Sequence, residues 1–229
     1  MINQAKSTVE ARSNWQLAIF DCDGVLVDSE ALTHHVLIEA LAGLGIELDL
    51  DRAIGLFMGN TLEQNVAIIE ELLGRPLPAE FFPDWREQLY DRFRTEPVRA
   101  VDGILAVLDG LTIPTCVVSN GPLRKMQTTL GVTGLLERFG PHLYSSESGL
   151  PGKPAPDLFL AAARDFGVTP ARTFVVEDSP KGVAGAVAAG MRVFGYAGAG
   201  YIDGRELAAA GAKVFTQMRE LPALIAQES

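Results

Sequence analysis

Two aspartates, Asp21 and Asp23, stand one residue apart at the end of the apolar run "QLAIF" (Gln16–Phe20), with Gly24 directly behind them. Carboxylates at that spacing repel, and the end of a buried strand hydrates them poorly, so the pair asks for a positive group between its members. Three other places repeat the pattern of an apolar run that ends in polar groups. Ser119, Asn120 and Gly121 close "IPTCVVS" (Ile113–Ser119), Lys153 lies in the Pro/Gly-rich "GLPGKPAPD" past "HLYSS", and Glu177, Asp178 and Ser179 close "TFVVE". Taken singly, each has a plain structural role; Asp178 or Ser179, for example, suits the cap of a helix starting at Pro180. Taken together they do not. Two carboxylates about 4 Å apart repel by roughly 4 kcal/mol at an effective dielectric near 20, and several uncompensated pairs would offset much of a domain's stability. A hard divalent cation removes the difficulty. An all-oxygen ligand set points to Mg²⁺, which suits a few carboxylates plus waters and a substrate phosphate.

For these groups to meet, the runs that carry them must be strands of one parallel sheet, since ligands bind beyond the carboxyl ends of such strands. The runs are short and apolar without clean alternation, as expected of strands buried on both faces. "RVFGY" (Arg192–Tyr196) adds a fifth and "AKVF" (Ala212–Phe215) a sixth at an edge. Helical patterns separate them, two of which run from Pro to Gly: "APDLFLAAARDFG" and "PKGVAGAVAAG". The fold class is therefore α/β. From about Glu30 to Pro97 the rhythm breaks into helices alone: "SEALTHHVLIEALAGLG", "NTLEQNVAIIEELLG" with a capping box at Thr61 and Gln64, and "AEFFPDWREQLYDRF", irregular around Pro83. This all-helical stretch is an insertion. The expected organisation is a flexible extension over 1–14, a core of 15–28 and 98–229, and a helical domain of 29–97.

Composition narrows the partners. With 48% hydrophobic residues in 229 and a net charge of −10, the chain can bury a large core but lacks the basic field of a nucleic-acid binder. No stretch is suited to a membrane span, and the polar start lacks the apolar core of a secretory leader, so a cytoplasmic monomer is expected. Cys22 and Cys116 are expected as reduced, buried thiols. His34, His35 and His142 have no zinc spacing. His34 and His35 are expected as partly exposed helix residues, and Asp28 and Ser29 as caps of the first inserted helix.

"DCDGVLVDSE", "VVSNG", "GKPAPD" and "VVEDSPKG", in this order, resemble the four motifs of the haloacid-dehalogenase-like (HAD) phosphohydrolases. The likeness runs from about Gln16 to the C-terminus. The insertion resembles the helical cap of the β-phosphoglucomutase and sugar-phosphatase branch. The resemblance implies a Rossmann-like parallel-sheet core with a four-helix-type cap, acting on a small phosphomonoester such as a sugar or sugar-acid phosphate. It implies Asp21 as nucleophile through an aspartyl-phosphate and Asp23 as general acid and base. It further implies Mg²⁺ held by Asp21, the Asp23 carbonyl, Asp178, and Glu177 directly or through water. Ser119 and Lys153 would hold the phosphoryl oxygens, with N–H donors around Gly24 and Asn120.

The cap departs from the mutase pattern. Thr33 stands where mutase-like chains carry a histidine. In the specificity loop "LFMGNT", with Met58, Gly59 and Asn60 as candidate substrate contacts, Met58 stands where they carry a lysine. Neither residue suits a second phosphate, so a phosphatase is expected and a β-phosphoglucomutase-like mutase is the alternative. A phospho-accepting signalling domain is the distant one. It would lack the insertion, and there the acceptor aspartate stands apart from the acidic pair.

Overall fold

The computed structural model describes residues 14–58, 60, 62–198, 200 and 202–228. The expected N-terminal extension, except Asn14, lies outside them, as do Gly59 of the specificity loop and Thr61 of the capping box. The strands are β1 (Leu17–Phe20), β2 (Val27–Asp28), β3 (Arg99–Ala100), β4 (Thr115–Ser119), β5 (Leu143–Ser145), β6 (Thr173–Glu177), β7 (Arg192–Tyr196) and β8 (Lys213–Phe215). Six of them form a sheet in the order β5-β4-β1-β6-β7-β8, every pairing parallel. The chain forms the α/β core expected from the strand pattern, in the Rossmann-like form that the resemblance implies. The run ending in Phe215 is an edge strand, as expected.

Alternate residues of each central strand feed two apolar layers, which is why the strands show no polar face. Leu17 and Ile19 pack with Val175, Val193 and the helices α8 (Asp157–Asp165), α9 (Pro180–Ala188) and α10 (Gly204–Ala209). Ala18 and Phe20 pack on the other side with α5 (Ile104–Gly110), α6 (Leu123–Val132), α7 (Leu136–Phe139) and α11 (Leu221–Gln227). Cys22 and Cys116 are buried free thiols, one in each layer, as expected.

Between β2 and β3 lie four helices: α1 (Glu30–Ala42), α2 (Leu50–Phe57), α3 (Leu62–Leu73) and α4 (Phe81–Thr95). The second was missed in the sequence because "LDRAIGLF" is short. Asp49 caps it by accepting from the Arg52 N–H at 2.8 Å. Pro83 causes no irregularity, because it falls in the first turn of α4, where its missing N–H has no partner to lose. The insert has its own apolar centre of Leu37, Leu41, Ala53, Phe57, Ile69 and Phe82. Val36, Leu89, Tyr90 and Phe93, however, belong to the layer under the sheet. Both chain crossings between core and insert run through a two-stranded antiparallel ribbon, Val27 opposite Ala100 and Asp28 opposite Arg99. Arg99 and Ala100 are thus held in a strand pair where the insert rejoins the core.

Candidate active site

β1 lies between β4 and β6, with Phe20 in register with Val117 and Val176. The three strand ends therefore open on one edge. Asp21 follows β1, its N–H bonded to the Val176 carbonyl at 3.0 Å. Ser119 ends β4 and Glu177 ends β6, with Asp178 next. The loop bearing Lys153 reaches this edge because Asn120 clamps it. The Asn120 amide donates to the Lys153 carbonyl at 2.9 Å, and its Oδ1 accepts from the Lys153 N–H at 2.7 Å. Ser145 and Ser146 tether the same turn through the carbonyls of Gly121 and Asn120. The Lys153 ammonium then donates to Asp21 Oδ1 at 2.5 Å and to Glu177 Oε1.

Asp21, Glu177 and Asp178 each present an oxygen within 4.8 Å of the others, and all three are buried. Burial pushes the Asp21 carboxyl up to about 7 against the pull of Lys153, and Glu177 and Asp23 add to the rise. Burial, then Asp21 and Glu177, raises Asp178 well above the usual carboxylate range. Burial also opposes the Lys153 charge, but Asp21 and Glu177 outweigh it and raise its pKa. One ammonium among three buried carboxylates leaves a surplus of negative charge, and an all-oxygen donor set of this size fits a hard divalent cation. Two glycines keep the cluster together. A Cβ on Gly24, whose φ is +78°, would lie 1.9 Å from Asp178 Oδ2, and one on Gly182 would lie 2.0 Å from Glu177. Ser179 caps α9 by accepting from the Gly182 N–H at 3.0 Å, and its hydroxyl donates to Glu177 Oε2.

Asp23 has a separate set of partners. Its Oδ2 is 2.9 Å from Lys125 Nζ, and its Oδ1 accepts from the Ser29 hydroxyl. Ser29 sits at the N-cap of α1 without a capping bond, and Asp28 is an exposed ribbon residue, so neither caps that helix. His34, expected to be partly exposed, is buried. Its Nδ1 pairs with the Glu30 carbonyl at 2.9 Å. Sequence reading passed over Lys125 and took Ser29 for a helix cap. A signal for Lys125 existed: Arg124 and Lys125 occupy the first turn of α6, where the helix dipole disfavours cations unless they are paired. Arg124 is indeed paired with Glu87 of α4 and lies 4.6 Å from the centre of the Tyr90 ring.

The specificity-loop residues are less engaged. Met58 ends α2, and the Asn60 amide turns back to the Leu56 carbonyl at 2.8 Å. A cleft of about 350 Å³ adjoins Gly24 on the ribbon side, between Asp28, Arg99 and Tyr196.

Residues 15–190 match the haloacid dehalogenase-like hydrolase family, and the chain belongs to it. It is a phosphoric monoester hydrolase of that family. It is 34% identical over 183 residues to 6-phosphogluconate phosphatase of Escherichia coli, spanning 80% of this chain and 82% of that one. Among solved structures, a haloacid dehalogenase-like protein of unknown function from Agrobacterium tumefaciens is 38% identical. It superposes with a TM-score of 0.82 over 93% of this chain and 98% of that one. A HAD family hydrolase from Deinococcus radiodurans, with bound phosphate and sodium, is 32% identical with a TM-score of 0.78, covering 94% and 97%. No helix among the described residues is long and apolar enough to cross a membrane.

Proposed function

We propose that this hydrolase is a Mg²⁺-dependent phosphatase of small sugar or sugar-acid phosphates, working in the cytoplasm through an aspartyl-phosphate at Asp21. The observation that carries this reading is the division of the strand-end carboxylates. Asp21 and Glu177 share Lys153, with Asp178 beside them in the same cluster, while Asp23 stands apart with Lys125 and Ser29. Asp21 attacks as the carboxylate, the form that Lys153 and a bound cation would favour against the effect of burial, and two-step transfer lowers each barrier. Asp21 attacks phosphorus as the ester P–O bond breaks, and Asp23 gives its proton to the departing alcohol oxygen. Asp23 then takes a proton from water, which attacks phosphorus and frees Asp21 and inorganic phosphate. Lys153 and Ser119 hold the phosphoryl oxygens, with further donors among the N–H groups around Gly24 and Asn120; the Gly24 N–H itself is bonded to the Val27 carbonyl at 2.8 Å. Asp21, Asp178, the Asp23 carbonyl and Glu177 would hold Mg²⁺, whose charge offsets that of the cluster and of the phosphoryl group.

Two cap residues favour hydrolysis over a mutase. Thr33 spends its hydroxyl on the Ser29 carbonyl at 2.8 Å, and Met58 is apolar. Neither offers a grip on a second phosphate. The likeness to 6-phosphogluconate phosphatase makes that sugar acid the first substrate to try. The test is a panel of 6-phosphogluconate, glucose 6-phosphate, glycerol 3-phosphate and β-glucose 1-phosphate, without added bisphosphate. Free phosphate should appear with Mg²⁺ and stop on chelation, and Asp21→Asn should form no phosphoenzyme. Glucose 6-phosphate from β-glucose 1-phosphate with little free phosphate would replace the phosphatase by the mutase. Full activity after exhaustive chelation would remove the metal role.

A further inference from the structure

We propose that Lys125 is a positioning residue for the acid/base Asp23, fixing its carboxylate from one side while Ser29 fixes it from the other. The inference rests on the role proposed above for Asp23. Asp23 follows β1 by three residues, outside the six-stranded sheet, on a turn that an isolated bridge to Val27 closes and that bends at Gly24. What holds the Asp23 side chain are two contacts from different parts of the fold. Lys125 Nζ, on the first turn of core helix α6, is 2.9 Å from Oδ2. The Ser29 hydroxyl, at the entry to the insert, donates to Oδ1. Both oxygens are thus engaged, so the carboxylate plane has one orientation.

Lys125 itself is well fixed. Its side chain is only 13% exposed. Burial opposes its charge, but Asp23 and Glu30 outweigh that and keep it an ammonium. Glu30, in the first turn of α1, is thereby a second acidic neighbour of the same lysine. A cation in the first turn of a helix works against the dipole. Its place there is explained by the carboxylate it meets. The same turn carries the Ser119–Gly121 loop into α6, and Ser119 Oγ accepts from the Gly121 N–H at 3.0 Å. The phosphoryl-binding loop and the acid/base are therefore set by one rigid segment, which keeps the donor of the proton and the grip on phosphate in register.

Positioning through Asp23 makes a particular demand on the substrate. Loss of the acid slows esters whose leaving alcohol needs a proton far more than esters whose leaving phenolate does not. The ratio kcat/KM isolates the phosphoryl-transfer half-reaction, where that proton moves. The experiment compares Asp23→Asn, Lys125→Met, Lys125→Gln and Ser29→Ala on the fastest alkyl ester of the panel above and on 4-nitrophenyl phosphate. Asp23→Asn should lose roughly 10²-fold or more in kcat/KM on the alkyl ester and under about tenfold on the aryl ester. Lys125→Met should show the same preference to a smaller extent. Lys125→Gln, which keeps a donor, should recover part of the loss. Lys125→Met combined with Asp23→Asn should be no slower than Asp23→Asn alone. If Lys125→Met does not fold, Lys125→Gln and Ser29→Ala carry the same comparison. Equal losses on both esters for the Lys125 variants, or losses that add to that of Asp23→Asn, would overturn the positioning role and leave the acid/base reading intact. An Asp23→Asn enzyme with no preference between the esters would remove that reading, and the positioning role with it.

Discussion

Deleting the charge of Lys153 tests the electrostatic design of the site. The side chain is 4% exposed and contacts both Asp21 and Glu177. Lys153→Met keeps the length and most of the volume, so what is removed is the ammonium. The carboxylates left behind are Asp21, Glu177 and Asp178, with facing oxygens within 4.8 Å. At that distance and an effective dielectric near 20, each pair repels by roughly 3.5 kcal/mol, about 10 kcal/mol for three. That is comparable to the whole stability of a domain, so the variant must take up protons rather than keep all three charges. The observable loss is then that of breaking a buried ion pair, about 3–5 kcal/mol. For a chain of this size it corresponds to a thermal midpoint lowered by roughly 6–20 °C in metal-free buffer at pH 7.5. Turnover should fall by roughly 10²–10³, since the lysine also faces the phosphoryl oxygens in the proposed mechanism.

The pH dependence has a definite sign. Asp21 sits at about 7 in the fold against its ordinary 3.8. The folded state binds that proton more tightly, so the stability it contributes is full below about pH 4 and is lost as pH rises through 7. Lys153 is the group that holds Asp21 down, and removing it moves the window higher. The deficit of Lys153→Met should therefore be largest at pH 7.5 and narrow towards pH 5. Saturating Mg²⁺ should narrow it at constant pH. Differential scanning calorimetry with and without chelator measures both. A variant with the wild-type midpoint in metal-free buffer, or a deficit that widens on acidification, would refute the reasoning.

Gly24→Ala should lower Mg²⁺ affinity at least tenfold by calorimetric titration while leaving the circular dichroism spectrum intact. The new Cβ would meet Asp178 Oδ2 at 1.9 Å and the backbone is left-handed there, a strain of about 1–2 kcal/mol before the carboxylate moves. The insert should rotate on the β2–β3 ribbon when a phosphate analogue binds, because the site must exclude water during transfer and admit it afterwards. Solution scattering or paired structures should detect the change, and an identical insert position with and without the analogue would count against it.

The core was legible because its strands are buried on both faces and so announce themselves as apolar runs. β6 and β7 begin and end where "TFVVE" and "RVFGY" do. The strand-end groups were legible for a related reason: charge at the end of such a run is conspicuous. The ribbon was not, since two residues a side have no period to read and its pairing joins positions about seventy residues apart. Ser29 and His34 were misjudged because helix position alone does not say what packs above it. Ser29 looked like a cap, yet its hydroxyl has a nearer acceptor in Asp23. His34 was expected at a partly exposed position, yet it is buried and its Nδ1 pairs with the Glu30 carbonyl. Met58 and Asn60 lie where sequence reading is weakest, on a loop whose contacts depend on how the insert meets the core.

The two aspartates of "DCDG" are divided by their neighbours. Asp21 faces Glu177, Asp178 and Lys153, a group with three negative charges and one positive when ionised. A phosphate monoester brings about two more negative charges, so it would be repelled by this edge in the absence of a cation. A divalent ion would bring the cluster to neutrality and let the anion approach Asp21, the nucleophile proposed above. Asp23 needs no share of that ion for its charge, because Lys125 balances it locally. Its carboxylate stays outside the metal cluster, held by Lys125 and Ser29 for the proton transfer proposed above. If Lys125 were absent, Asp23 would be a fourth unbalanced carboxylate beside the metal cluster, free to compete for the ion. The pairing proposed to fix its orientation would also keep the proposed acid/base group distinct from the proposed ligand set.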